Sequence, residues 1–231
     1  MKDGRYEVRL AGAGGQGVAL AARILAEAAL RCGRHAANSQ AYGPASRGGA
    51  SRSDVIVAAE AIDYPLVRSL DVLVALTGEA LRTYLPDLGA GGLLVVDRDA
   101  VEAPPEGPWS TRIVPIVATA MSVAGTTVAS GVAALGALEA LTEAVATQAL
   151  ATALADGVPA GRVEVNQRVF AAARALAAAS AEQGPDGSRG SIPELRRHRE
   201  PRPEAASDQP RSEARPGQPR PARTVRVVVG K

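Results

Sequence analysis

Apolar positions along this chain follow two rhythms that take turns: short unbroken or β-branched runs in some segments, a spacing of three to four in others. Tyr6–Ala11 reads as a buried strand, and Val18–Cys32 carries apolar residues at helical spacing with Gly33 as its stop. Beyond a loop rich in Gly, Ser and Arg come a β-branched strand over Ser53–Ala59 and a third strand over Asp71–Ala75. A short helix is expected over Glu79–Tyr84, a fourth strand over Gly92–Asp97 after Gly89-Ala90-Gly91, and a fifth over Thr111–Val117. Helices follow over Ala118–Ala124 and Ser130–Leu141, and the Ala-rich stretches Ala144–Ala155 and Val165–Ala179 close the pattern. Strands alternating with helices predict a three-layer α/β domain over residues 1–184, with a mainly parallel sheet and helices on both faces. Ligands of such sheets sit beyond the carboxyl ends of the strands.

Composition then separates the end of the chain from the rest. Between Pro185 and Lys231 there are eight prolines, eleven Lys or Arg and six Asp or Glu, with almost no large apolar residue before Val225. Such a segment buries too little surface to offset its chain entropy, so residues 185–231 read as a disordered Pro/Arg-rich tail. Its arginines alternate with Pro, Glu and Ser rather than aromatics, which reads as a solvated extension and not as a nucleic-acid surface. Thr224–Val229 alternates and then turns apolar, a weak strand signal. The formal charge of +2 belongs to the tail, because the first 184 residues hold 15 basic and 18 acidic side chains.

A single cysteine, Cys32, supplies neither a disulfide framework nor a CxxC metal pair. It is expected as a small buried residue near the end of the first helix, and any redox metal centre must then lie on another chain. Met1-Lys2-Asp3-Gly4-Arg5 runs straight into a strand with no signal peptide, and no apolar stretch is fit to span a bilayer. The expectation is a cytoplasmic protein with no membrane partner and no metal of its own.

The densest chemical signal is Gly12-Ala13-Gly14-Gly15-Gln16-Gly17, set between a strand and a helix. Such a turn needs residues without Cβ and aims the first helical N–H groups, with the positive end of the helix dipole, at an oxyanion. Gly12, Gly14 and Gly17 satisfy the dinucleotide pattern G-x-G-x-x-G. That reading also demands an acid some 20 residues on, and Gly33-Arg34-His35-Ala36-Ala37-Asn38-Ser39-Gln40 has none. Arg34 or His35 would instead suit a 2′-phosphate, so a self-contained NADP-binding Rossmann-type protein stays open, as does a tight turn with no ligand.

A second constellation runs Gln40-Ala41-Tyr42-Gly43-Pro44-Ala45-Ser46-Arg47-Gly48-Gly49-Ala50-Ser51-Arg52-Ser53. Its Gly-Pro and Gly-Gly pairs make a turn-rich loop carrying one aromatic ring, two guanidiniums and hydroxyls. Guanidinium forks pair bidentately with carboxylates and phosphates, which suits an anion or an acidic partner surface. An ordinary surface loop would have the same composition.

Together the two loops resemble the gamma subunit of 2-oxoacid:ferredoxin oxidoreductases. The resemblance rests on Gly12-x-Gly-Gly-Gln-Gly17, Gln40-x-Tyr-Gly-Pro-x-x-Arg-Gly-Gly49 and Ile62-Asp63-Tyr64-Pro65. It continues through Pro115-Ile116-x-Ala118-Thr119-Ala120, Val132-x-x-Leu135-Gly136-Ala137-Leu138 and Glu164-x-Asn166, thus over roughly residues 5 to 180. The tail has no counterpart in the family pattern.

The resemblance implies a subunit of a complex that decarboxylates a 2-oxoacid on thiamine diphosphate, reduces ferredoxin through iron–sulfur clusters and transfers the acyl group to coenzyme A. Thiamine diphosphate, magnesium and the clusters are then expected on partner alpha and beta subunits. The gamma part is expected to lie against them and to contribute to the coenzyme A site. Agreeing with this, the chain lacks a cluster-binding cysteine set and the Gly-Asp-Gly motif of thiamine enzymes, and is not expected to be active alone. By that resemblance Gly12, Gly14, Gly15, Gln16 and Gly17 form the anion loop, and Tyr42, Gly43, Arg47, Gly48, Gly49 and Ser51 the loop facing the partner or substrate; none is assigned as catalytic. One departure is Ala45, where the family usually has an acid. The continuation Ala50-Ser51-Arg52-Ser53 resembles the 2-oxoglutarate type, with branched-chain, pyruvate and indolepyruvate versions as alternatives. A non-catalytic docking subunit is the remaining alternative.

Overall fold

A computed structural model describes residues 4–41, 50–103, 105–142 and 144–182. The Pro/Arg-rich segment from Pro185 lies outside the described residues, so the tail and the weak strand signal within it stand as expectations.

Six strands form one sheet: β1 (Arg5–Ala13), β2 (His35–Ala41), β3 (Ala50–Ala58), β4 (Leu70–Ala75), β5 (Leu88–Asp97) and β6 (Ser110–Val114), in the order β2-β3-β1-β4-β5-β6. β1, β4, β5 and β6 are parallel, whereas β3 is antiparallel to both β1 and β2. The mainly parallel α/β sheet stands as expected, with an antiparallel ribbon along one side. β2 is an element the hydrophobic pattern missed. It reads His-Ala-Ala-Asn-Ser-Gln-Ala with no β-branched residue, yet Ala36 and Ala37 are buried. Only eight residues separate its end from Ala50, too few for the crossover a parallel neighbour would need, so β3 returns antiparallel.

The helices are α1 (Val18–Arg31), α2 (Gly78–Tyr84), α3 (Ile116–Ala124), α4 (Ser130–Leu141), α5 (Thr147–Gly157) and α6 (Val163–Glu182). Helices do cover both faces, but unequally. Val8, Leu10, Val55, Val57, Val72, Val74, Val95 and Val114 pack into one core with α1, α3, α4, α5 and α6. The other face carries Ala11, Leu73, Ala75, Leu94 and Val96 against Ala80 and Leu81 of α2, with Val101 and Trp109 at its margin. Among the described residues no helix is long and apolar enough to cross a membrane.

Several boundaries differ from expectation for identifiable reasons. β6 ends at Val114 and α3 begins at Ile116, because Pro115 has no N–H to continue the ladder. The Val117 N–H is taken instead by Asp97 Oδ2 at 2.7 Å. β5 starts at Leu88, and Gly89–Gly92 forms a bulge: Leu70 pairs with Leu88 and Val72 with Leu93, while Gly91 adopts φ 75°. α1 ends in a Schellman cap, with Gly33 N–H on Leu30 O at 2.9 Å and Arg34 N–H on Ala29 O at 3.0 Å. Cys32 sits in that cap and is exposed, not buried as expected, because the helix stops one residue before it.

Candidate functional site

β1 runs to Ala13, so the Gly12–Gly17 loop leaves the carboxyl end of a central strand, where a parallel sheet presents ligands. Its glycines divide into two kinds. Gly12 is buried, and a Cβ there would overlap Gln16 Oε1 and lie 3.1 Å from Leu76 Cβ. Gly17 is the N-cap of α1 at φ 75°, and a Cβ there would overlap the Val128 carbonyl. Gly131 in the first turn of α4 is its counterpart: its N–H donates to Gln16 O at 2.8 Å, and a Cβ on it would overlap Gly17 O. These glycines let the starts of α1 and α4 meet backbone to backbone.

Gly14 and Gly15 are different, since both are exposed and, among the described residues, no other part of the chain comes within 4 Å of where a Cβ would be. Gly15 adopts φ 88°, which an L side chain resists. Gln16 closes the turn on itself, its Oε1 accepting the Ala13 N–H at 2.7 Å. α1 behind the turn has no side-chain cap and no acid in its first turn. An uncapped, acid-free helix start beside two open glycines fits a phosphate or another oxyanion.

The second loop divides as well. Tyr42, Gly43, Arg47, Gly48 and Gly49 lie outside the described residues. Ala50 to Ser53 belong to β3, so Ser51 is a buried strand residue paired opposite Gly12 rather than part of an open loop. Ala13 pairs with Ala50, which brings the return of the second loop beside the start of the first. Arg52 is engaged: its guanidinium stands 5.6 Å over the Tyr84 ring and 3.9 Å from Asp54 Oδ2.

Beneath the first loop and the start of β3 lies a cluster that the hydrophobic pattern did not single out. Arg9 is 3% exposed. Its Nε and Nη2 donate to Asp54 Oδ1 and Oδ2 at 2.6 and 2.9 Å, its Nη1 donates to Asp87, and its guanidinium stands 5.0 Å over Tyr84. Burial tends to lower the Arg9 pKa, but both carboxylates outweigh it and hold the group further toward the charged form. Burial also raises the Tyr84 phenol, against the two guanidiniums. The available signal was Glu7-Val8-Arg9-Leu10, where charges alternate with apolar residues inside a strand read simply as buried.

At the carboxyl end of β5, Asp97 is buried and accepts N–H groups from Val117 and Asp99. Desolvation pushes its carboxyl above the ordinary range in spite of those donors. A shallow cavity of about 640 Å³, lined by Gly78, Leu81, Arg82, Asp99, Val101 and Glu102, opens nearby, and neither Gly14 nor Gly15 borders it.

The dinucleotide alternative meets a topological obstacle. In that fold the second strand lies directly beside the first, whereas here β3 separates β1 from β2, and β2 ends in Asn38-Ser39-Gln40-Ala41 without an acid.

Comparison with known proteins bears on the same residues. A family model described as pyruvate ferredoxin/flavodoxin oxidoreductase matches residues 7–176. A 2-oxoglutarate synthase subunit KorC from Methanothermobacter thermautotrophicus is 44% identical over 183 residues, covering 76% of this chain and 97% of that one. The gamma subunit of a keto/oxoacid ferredoxin oxidoreductase from Geobacter sulfurreducens superposes with a TM-score of 0.70 at 43% identity, over 77% of this chain and 98% of that one. A 2-oxoglutarate:ferredoxin oxidoreductase from Magnetococcus marinus, whose structure holds 2-oxoglutarate, coenzyme A and succinyl-CoA, shares the fold at 23% identity. Its TM-score is 0.68, over 76% of this chain and 31% of that one.

Proposed function

The chain belongs to the pyruvate ferredoxin/flavodoxin oxidoreductase family, and from that premise we propose that its Gly14–Gly15 turn receives a phosphate of coenzyme A in a cytoplasmic 2-oxoglutarate:ferredoxin oxidoreductase. It is a gamma-type subunit of a 2-oxoacid:ferredoxin oxidoreductase and works with alpha and beta partner subunits. The observation that carries the coenzyme A reading is the pair of open glycines before an α1 terminus with no cap and no acid. Backbone N–H groups there meet phosphate charge without a competing carboxylate.

In this reading thiamine diphosphate with its magnesium, held by the partner subunits, supplies the decarboxylation, and their iron–sulfur clusters pass electrons to ferredoxin. This chain's part is to bind and orient. Gly12 and Gly17 fix the turn, Gln16 closes it, and Gly14 and Gly15 leave their backbone accessible. Tyr42, Gly43, Arg47, Gly48 and Gly49 are assigned to the face that meets the partner active site, with Ser51 as the buried root of that segment. The 2-oxoglutarate preference is supported by the KorC relative and by Ala50-Ser51-Arg52-Ser53. Ser51 and Ser53 are buried and Arg52 is stacked on Tyr84, so these residues are held in β3 at the point where the chain leaves the second loop.

Gly14→Asp tests the reading, since it places a carboxylate where no described residue stands within 4 Å, without demanding positive φ. In the reconstituted complex KM for coenzyme A should rise about tenfold or more, equivalent to about 1.4 kcal/mol of lost binding. The 2-oxoglutarate-dependent dye reduction that runs without coenzyme A should persist. An unchanged KM would reduce this chain to a docking subunit, and a panel of 2-oxoacids would decide among the branched-chain, pyruvate and indolepyruvate versions.

A further inference from the structure

We propose that the outer surface of α3 and the 3₁₀ turn after it, centred on Met121 and Val128, is the seat of the thiamine diphosphate-binding partner subunits; the choice of partner rests on the reading of the Gly14–Gly15 turn given above. Between Arg112 and Glu139 the chain holds no charged residue. Part of that run is used inside the molecule, since α4 is buried from Ser130 to Leu138. α3 is not used up in the same way. Its Ile116, Thr119 and Ala120 are buried, while Met121 and Val128 stand 46% and 56% exposed, and Ser122, Gly125 and Thr127 are exposed with them.

Among the described helices that present a face to solvent, α3 alone does so without a charge. α1 exposes Arg23, α2 Glu79 and Arg82, α5 Asp156, and α6 Glu164 and Arg174. A helix apolar on every side is ordinarily buried, and an exposed apolar patch marks a contact surface. The backbone that carries this one is fixed. The Gly125 N–H closes α3 on Met121 O at 3.0 Å, and Thr126 Oγ1 accepts the Val128 N–H at 3.3 Å.

The position of the surface says what covers it. α3 leaves the carboxyl end of β6, and the Val128 carbonyl packs on Gly17 at the start of α1, so the surface adjoins the glycine turn at the same end of the sheet. A coenzyme A held at that turn by a phosphate has to bring its thiol to thiamine diphosphate, which on the same reading the partner subunits hold. Those subunits must then stand over this end of the sheet, where the uncharged surface meets them. Its chemistry agrees with a permanent partner, because the cores of lasting interfaces are depleted of charge and enriched in methionine. A transient redox partner such as ferredoxin is steered by charge, and this surface has none to offer.

The test titrates the full chain into the alpha and beta subunits without coenzyme A and reads the dissociation constant. Met121→Glu and Val128→Glu each put a charge on the surface, and the constant should rise about tenfold or more in both, with Met121→Leu within about threefold of wild type. Leu176→Glu is the matched control, a 43% exposed apolar side chain on α6, and it should leave assembly unchanged. An unchanged constant in Met121→Glu, or an equal loss in Leu176→Glu, overturns the assignment. If Val128→Glu does not fold, Met121→Glu decides, because Met121 lies outside the turn packed on Gly17. Unchanged assembly with weaker ferredoxin reduction, or with loss of self-association, gives the surface to ferredoxin or to a second copy and likewise overturns the assignment. Gly14→Asp keeps the two ideas apart. Weakened assembly in Met121→Glu with an unchanged KM for coenzyme A in Gly14→Asp defeats the coenzyme A reading and supports the contact. A raised KM in Gly14→Asp with unchanged assembly in Met121→Glu defeats the contact alone.

Discussion

The two faces of the sheet are built on different physics. Under α1, α4 and α6 the core is built mainly of Val, Leu, Ile and Ala with Tyr6 and Phe170, and helices approach closely enough that Gly136 has no room for a Cβ beside the Phe170 carbonyl. Under α2 the face carries Glu7, Arg9 and Asp54 among its apolar residues, each buried and each bonded. Glu7 accepts the Arg5 guanidinium at 2.7 Å and the Arg68 and Ser69 N–H groups at 2.8 and 2.9 Å, strapping the segment before β4 to the sheet. Dispersion on the first face is non-directional and rewards volume; the charged bonds on the second reward one angle and one register.

The largest break should come from the charged face. Asp54→Ala leaves Arg9 buried with only the more exposed Asp87 as a partner, and unfolding in urea should show a loss of about 3–5 kcal/mol. On the apolar face the informative change is an addition. Gly136→Ala would stabilise an ordinary helix interior by about 1 kcal/mol, yet here the same measurement should show a loss of about 1–3 kcal/mol, because α6 is in the way.

A pH titration sharpens the contrast further. Burial raises the Asp97 carboxyl, so the native state holds its proton more tightly than the unfolded chain does. That contribution to stability is complete below about pH 4 and is lost as pH rises through the native value. The stability of Asp97→Asn relative to wild type should therefore climb from about pH 4 toward neutrality, read from urea midpoints at stepped pH. Smallest of all, Gly14→Ala belongs to neither face and should change the unfolding free energy by less than about 0.5 kcal/mol.

Much of this was legible along the chain. Parallel strands, α4 to the residue and the stop at Gly33 follow from periodicity and glycine chemistry. β2 was illegible because its burial comes from packing between β3 and α1, which no alternation within His-Ala-Ala-Asn-Ser-Gln-Ala announces. The fingerprint singled out the Gly12–Gly17 loop, but a motif cannot tell a glycine that admits a neighbouring backbone, as Gly17 does, from one with no described residue near its missing Cβ, as Gly15. Tyr84 escaped notice because its importance lies in the residues it meets from β1 and β3, more than thirty positions away.

Cys32 gives the molecule a built-in attachment point. It is the chain's sole thiol, and it is exposed at the far end of α1 from Gly17. Fourteen helical residues at about 1.5 Å each separate the two ends by about 21 Å. A maleimide-linked fluorophore or nitroxide would therefore mark a single position remote from the glycine turn. Anisotropy or dipolar distances from it would follow assembly with the partner subunits without any engineered cysteine.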